Sequence, residues 1–169
     1  FMPGPGLGGH CIPIDPFYLS WKAKKYNVDT KFIKLAGQIN RSMPSWVIGR
    51  VLENFNKKNL SINKKKFLIL GVAYKKNIND TRESPALEII KILKKKYKAK
   101  VEYHDPFVPV INKMRNYNFL MESIKITSKK IKTFDAVIIV TDHDKFNYKF
   151  IRENSKLLVD TRGIIKKKY

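Results

Sequence analysis

The chain has 169 residues, 43% hydrophobic and 12% aromatic, with eight Gly and eight Pro. That is one domain, or one domain with a short extra limb, and it excludes a disordered or low-complexity chain. Basic residues outnumber acidic ones 35 to 14, a formal charge of +21 that points first to nucleic acid.

Two features weaken that first reading. Six of the 35 basic residues are Arg, so the surplus is Lys, a compact hydrated cation rather than the bidentate reader of phosphate and guanine. The lysines also lie in runs along the whole chain, from Lys22 to Lys25, Lys64 to Lys66, Lys94 to Lys96, at Lys129 and Lys130, and from Lys166 to Lys168. The aromatic residues Phe17, Tyr18, Trp21, Phe32 and Trp46 fall mostly on apolar helix faces, not beside a basic face where bases could stack. A nucleic-acid-binding module is therefore the disfavoured rival. Cys11 is the only cysteine, so no internal disulfide forms and a cytoplasmic setting is expected. No run approaches the ~18 apolar residues of a membrane helix, and no secretory signal is visible. The sequence starts at Phe1 and enters at once a dense Gly/Pro motif, from which a preceding N-terminal portion is expected.

In chain order, Asp15-Pro16 predicts a helix start, with Asp15 as N-cap and Pro16 in the first helical position, running to about Tyr26. Apolar residues at spacings of three and four from Phe32 to Phe55 predict a long amphipathic helix. Pro44 within it should kink or divide it. This helix is either an oligomerisation surface or packing for the following domain. The run from Phe67 to Ala73 predicts a strand buried on both faces. Ser84-Pro85 caps a further helix, and strands are expected over 101–104, 136–141 and 156–162, with a polar helical segment near 145–153 and loose structure over 109–133. The predicted fold class is α/β: a helical limb, residues 1–60, followed by a doubly wound, mostly parallel Rossmann-like sheet, residues 61–169.

Ligands of such sheets sit beyond the C-terminal strand ends. That singles out Tyr74 to Arg82, His104 and Asp105, Thr141 to His143, and Arg162. The cations Lys75, Lys76, Arg82 and Arg162 converge there, where charge and unpaired helix N–H groups together suit phosphate.

The segment Pro3-Gly-Pro-Gly-Leu-Gly-Gly-His-Cys-Ile-Pro-Ile-Asp places Gly4, Gly6, Gly8 and Gly9 just before Cys11, and glycines allow the backbone to approach a ligand closely. It is not read as the dinucleotide fingerprint, which requires a preceding strand. Cys11 lies shortly before a helix, where the dipole and nearby cations favour a nucleophilic thiolate; the plain alternative is a buried apolar Cys.

These residues resemble the active-site cysteine segment of the UDP-glucose/GDP-mannose dehydrogenase family, with Asp15 four residues after Cys11. The stretch from Gly71 to Ala86 is similar to the start of that family's C-terminal nucleotide-sugar-binding domain, and Asp160-Thr-Arg-Gly to its closing strand end. The wording of the cysteine segment and of Ala36-Gly-Gln-Ile-Asn-Arg-Ser-Met-Pro is most similar to the branch acting on UDP-N-acetylglucosamine and related UDP-N-acetylhexosamines. The resemblance implies an NAD-dependent oxidation of a sugar C6 alcohol to a carboxylate, through a thiohemiacetal and then a thioester on Cys11, with Asp15 positioning water. It implies substrate contacts from Leu7, Gly8, Gly9, Tyr74, Lys75 and Arg162, a cofactor contact from Arg82, a homodimer through the long helix, and a role in surface polysaccharide synthesis. His10 adjoins Cys11, but neighbours in an extended segment point apart, so a base role for it is disfavoured. The family's N-terminal NAD-binding domain is absent from these residues, as is its helix bearing an oxyanion-stabilising Lys and Asn. The chain alone is then expected to be inactive. A noncatalytic remnant that still binds nucleotide sugar is the alternative.

Overall fold

The computed structural model describes residues 3–114 and 116–165, so the run from Lys166 to Lys168 lies outside the described residues. Elements follow in the order α1 (Cys11–Lys24), α2 (Lys31–Asn56), β1 (Lys66–Leu70), α3 (Pro85–Tyr97), β2 (Lys100–His104), β3 (Val110–Ile111), β4 (Met121–Glu122), α4 (Ser128–Ile131), β5 (Ala136–Ile139), α5 (Tyr148–Asn154) and β6 (Leu158–Asp160).

The buried run at β1 forms the middle of a four-stranded sheet of order β2-β1-β5-β6, every pair parallel. Period-two alternation sends Phe67 and Ile69 into a core with α2 and α3, and Leu68 and Leu70 into a second core with Ile131 and Ile151 of α4 and α5. Helices thus cover both faces, as a doubly wound sheet requires. Each fully buried Leu, Ile or Phe here contributes about 1.5–3 kcal/mol. Ser84 caps α3 as expected, its hydroxyl accepting from the Ala86 N–H at 3.3 Å, with Pro85 opening the helix. The stretch expected to be loose, 109–133, carries the small antiparallel pair β3–β4 and the short α4.

Three expectations change. First, α1 begins at Cys11, not near Asp15, so Asp15 is not its N-cap; His10 holds that place without a side-chain cap. Pro13 is tolerated because the first helical N–H groups have no intrahelical acceptor, and Pro16 forfeits a single bond. Second, Pro44 does not divide α2, which runs unbroken over 26 residues. Its C-terminal half buries Val47, Ile48, Val51 and Phe55 in the core, whereas the N-terminal half leaves Phe32, Leu35 and Ile39 exposed. Packing and exposure therefore divide the helix between them. Third, the strand expected over 67–73 stops at Leu70.

Gly71 causes that stop. It turns the chain at φ +78°, and a Cβ there would lie 2.4 Å from the Thr141 carbonyl oxygen. Gly71→Ala combines left-handed strain with a backbone clash and is expected to cost about 2–5 kcal/mol. Urea denaturation checks this, and a loss below about 1 kcal/mol would contradict the geometry.

The run from Lys64 to Lys66 meets Lys100 at one end of the sheet. Lys66 and Lys100 are register partners where β1 and β2 begin, Lys100 donates its N–H to the Lys65 carbonyl at 2.9 Å, and Lys64 donates to that of Tyr97 at 3.0 Å. None of these three, nor Lys65, joins an ion pair among the described residues. At the opposite end of the strands, Lys76, Arg82 and Arg162 each face an aspartate.

Candidate active site

The glycine-rich loop folds over the C-terminal ends of the strands. Pro44 lacks the N–H that would bond the Asn40 carbonyl one turn earlier in α2, and the loop docks at Asn40. The Asn40 Oδ1 accepts the Leu7 N–H at 2.7 Å, its Nδ2 donates to the Leu7 carbonyl at 3.4 Å, and its own carbonyl borders Gly6. Sequence reasoning assigned Asn40 no role; its signal is an amide within the apolar stripe of a long helix.

Beyond Leu7 the loop meets the segment that follows β1. The Gly9 N–H donates to the Arg82 carbonyl at 2.9 Å. Gly9 has φ +91° and an added Cβ would lie 2.8 Å from the Tyr74 ring; at Gly8 it would lie 2.7 Å from the Glu83 carbonyl oxygen and from the Tyr74 Cβ. A Cβ at Gly4 would touch the Arg162 guanidinium at 2.6 Å. The glycines are thus needed for close approach to the protein's own chain, where the sequence suggested approach to a ligand.

Cys11, exposed, is the first residue of α1, directly after this docked loop. Asp15, also exposed, follows at i+4, so both side chains lie on one helix face a turn apart. Arg82 is near enough to Tyr74 and Cys11 to feel both electrostatically. Its guanidinium is bidentate on Asp80, with Nε at 2.9 Å and Nη2 at 2.7 Å from Oδ2. The hydrogen bond from Arg82 holds the Asp80 carboxyl below its ordinary range despite burial, and the same bond raises Arg82.

Arg162 leaves the end of β6, where its Nε donates to the Val140 carbonyl at 2.8 Å and lies 3.7 Å from an Asp142 oxygen. Burial pulls this guanidinium below its ordinary range, with Asp142 opposing. Its Nη1 packs against Gly4. Lys75 is exposed beside Tyr74 and forms no ion pair among the described residues. Lys76 by contrast is tied to Asp144 at 3.1 Å, which answers its charge within the protein.

Other strand-end residues turn inward. Asp105 is buried, and its carboxylate accepts N–H groups from Val72 at 2.7 Å, Ala73 at 3.1 Å, Phe107 at 2.8 Å and Val108 at 3.0 Å, and the Nε2 of His143 at 2.9 Å. Burial pushes its carboxyl up, but the bonds from His143, Val72 and Phe107 outweigh it and hold the group below the ordinary range. Thr141 donates its hydroxyl to the Ala73 carbonyl at 2.6 Å, and the His104 Nδ1 is bonded at 2.7 Å to the Ile124 carbonyl. The crevice where strand order reverses, between β1 and β5, is thus filled by the protein's own groups. A cleft of about 630 Å³ lies between α1, α2 and the start of α3; it borders Leu7 and Ile12 but is not lined by Cys11, Tyr74, Lys75 or Arg162. No group of three or more acidic, His or Cys side chains suited to a metal occurs among the described residues. No helix among them is long and apolar enough to cross a membrane.

Comparison with known proteins agrees with this geometry. Residues 68–167 match the UDP binding domain of the UDP-glucose/GDP-mannose dehydrogenase family, and residues 1–42 match that family's central domain. The UDP-N-acetyl-D-mannosamine dehydrogenase of Pyrococcus horikoshii is 35% identical over 169 residues, covering 97% of this chain and 37% of the relative. The UDP-N-acetyl-D-glucosamine 6-dehydrogenase of Salmonella typhi is 32% identical over 148 residues, covering 86% of this chain and 34% of the relative. The solved structure of the UDP-D-ManNAc dehydrogenase from Pyrococcus horikoshii superposes with a TM-score of 0.79 at 32% identity, over 99% of this chain and 37% of that one. This chain thus spans little more than a third of the length of these relatives. With the UDP binding domain matched over residues 68–167 and the central domain over residues 1–42, in that family's order, the chain belongs to the UDP-glucose/GDP-mannose dehydrogenase family.

Proposed function

We propose that this chain is the C-terminal part of an NAD-dependent nucleotide-sugar 6-dehydrogenase that oxidises the C6 alcohol of a UDP-N-acetylhexosamine to the carboxylate. Residues 1–60 form its catalytic limb and residues 61–169 its UDP-binding domain. One observation carries the reading: loop 4–11 and segment 74–82, far apart in sequence, close on each other around Cys11, through Gly9 on Arg82 and Gly8 on Tyr74.

The chemistry follows from the groups present. Cys11 sulfur adds to the C6 aldehyde left by the first oxidation and forms a thiohemiacetal, which keeps a hydride-bearing carbon in the site. Loss of that hydride gives a thioester, and water hydrolyses it to the carboxylate and frees the thiol. Asp15, one helical turn on, positions that water. NAD would supply the hydride acceptor, one molecule for each of the two oxidations. Arg82, exposed at the Cys11 side of the loop, fits a cofactor contact, and the remaining cofactor groups belong to an NAD-binding domain outside residues 1–169. Without that domain the chain does not turn over. Arg162 and Lys75 hold the diphosphate, and Leu7, Gly8, Gly9 and Tyr74 border the sugar. Two copies pair through α1 and α2, whose Tyr18, Trp21 and Phe32 are 68%, 59% and 87% exposed; a monomer in light scattering at micromolar concentration would contradict the pairing. The product, a nucleotide uronic acid, suits surface polysaccharide synthesis, and the enzyme works in the cytoplasm.

Titration with UDP tests the reading. UDP is expected to bind, and UDP-N-acetylglucosamine is expected to slow alkylation of Cys11. Arg162→Lys, which replaces a planar fork by a point charge, is expected to weaken UDP about tenfold. Labelling that UDP-N-acetylglucosamine leaves unchanged would overturn the placement of Cys11 at the sugar site.

A further inference from the structure

His143 has no role in the chemistry above. It is completely buried at the end of β5, packed between the rings of Phe107 and Phe146 at centroid distances of 5.0 and 5.3 Å. Both ring nitrogens are occupied. Nδ1 accepts the Asn77 backbone N–H at 2.9 Å, so the ring proton sits on Nε2, which donates to the Asp105 carboxylate at 2.9 Å.

The two bonds run in different directions. The Nε2 bond points into the sheet, where Asp105 already holds β1 to the residues after β2 through four backbone N–H groups. The Nδ1 bond points outward to the segment that carries Tyr74, Lys75 and Arg82. That segment is tied at its ends, by the Tyr74 N–H on the Asp80 carbonyl at 2.9 Å and by the Gly9 N–H on that of Arg82. Its middle is held from the β5 side. The Asn77 backbone is bonded to His143, the Asn77 side chain exchanges bonds with Asp144, and the Lys76 ammonium meets Asp144 at 3.1 Å. Of these middle anchors only the His143 bond is partly buried, its acceptor ring completely so, whereas the Asp144 bonds are exposed, and a hydrogen bond shielded from water orients its partner more strongly.

We propose that His143 is a positioning residue: by accepting the Asn77 amide proton at Nδ1 while Asp105 fixes its ring, it sets the course of residues 74–82 and so the places of Tyr74, Lys75 and Arg82 against the nucleotide sugar. This rests on the reading of that segment as a UDP-sugar contact. The role differs from simple support of the sheet because the two nitrogens serve different ends, one the core and the other the loop.

Two substitutions separate them. The amide oxygen of His143→Asn overlies the position of Nδ1 and keeps the bond to Asn77 but loses Asp105. The amide nitrogen of His143→Gln reaches the position of Nε2 and keeps Asp105 but loses Asn77. UDP affinity by calorimetry, the thermal midpoint, and hydrogen exchange at the Asn77 amide are measured on both. H143Q is expected to weaken UDP about tenfold and to speed exchange at Asn77 while keeping the higher midpoint; H143N is expected to keep UDP affinity within about threefold and slow exchange while melting lower. Affinity that instead follows the midpoint across the two variants would reduce His143 to support of the core. Should H143N fail to fold, H143Q decides alone: full UDP affinity overturns the proposal, and loss of affinity with an intact midpoint upholds it. Failure of the parent chain to bind UDP refutes the site reading, and exchange at Asn77 then still decides whether His143 positions the loop.

Discussion

Cys11→Ser is expected to lower formation of the uronic acid from a UDP-N-acetylhexosamine by roughly 10³-fold or more, once an NAD-binding unit is supplied. Serine keeps the size of the side chain but is a far weaker nucleophile at neutral pH, so the aldehyde is not captured and the second oxidation has no tetrahedral adduct to act on. Cys11 is exposed and heads α1 without a side-chain cap beside it, so the substitution should leave UDP affinity and thermal stability unchanged. Following the carboxylate product and UDP binding together separates chemistry from recognition. Turnover within about tenfold of the parent enzyme would remove Cys11 from the mechanism. Asp15→Asn belongs to the same assay and should slow hydrolysis of the thioester while sparing its formation.

Asp105→Asn is expected to be among the most damaging substitutions for folding, by about 3–5 kcal/mol in urea denaturation. Five donors converge on this buried carboxylate, and an amide in its place offers one oxygen and sets an NH2 group against N–H groups that have nowhere else to turn. The pH dependence has a definite sign. The folded-state carboxyl lies below the ordinary value of about 3.9, so its contribution is complete above that value and is lost as pH falls through the folded pKa. The parent chain should therefore lose stability steeply below about pH 4, and D105N should flatten that part of the profile. A D105N chain that melts as the parent does, with an unchanged acid limb, would show that the backbone bonds hold the strand ends without it.

The loop, the strand ends and the sheet were legible to different degrees. Continuous apolar runs at β1 and β5, a Ser-Pro helix start at α3, and three- and four-residue spacing in α2 are local signals. They need no knowledge of neighbours, and those elements stand where the sequence puts them. Element ends were less legible. β1 stops at Leu70 because Thr141, 70 residues on, leaves no room for continuation past Gly71, and because Asp105 takes the next two N–H groups. Pro44 was read as a break from its ring geometry alone. The helix survives it because the Asn40 carbonyl that Pro44 leaves unpaired faces the glycine loop.

The same division runs through the site and the charge. The sequence by itself determined the family, since the cysteine segment and the Gly71 to Ala86 stretch carry their spacing with them. Folding alone decided which polar strand-end groups remain for a ligand. Asp105, Thr141 and His143 look as available in sequence as Lys75 and Arg162, yet the first three are spent on one another and on backbone N–H and carbonyl groups because they are buried, and a buried polar group must find its partner within the protein. Composition determined a charge of +21, a surplus that could have lain anywhere on the surface. The parallel sheet sorted it: because every strand runs the same way, Lys66 and Lys100 at the strand starts collect at one end, while at the other the aspartates that close the strand ends face Lys76, Arg82 and Arg162.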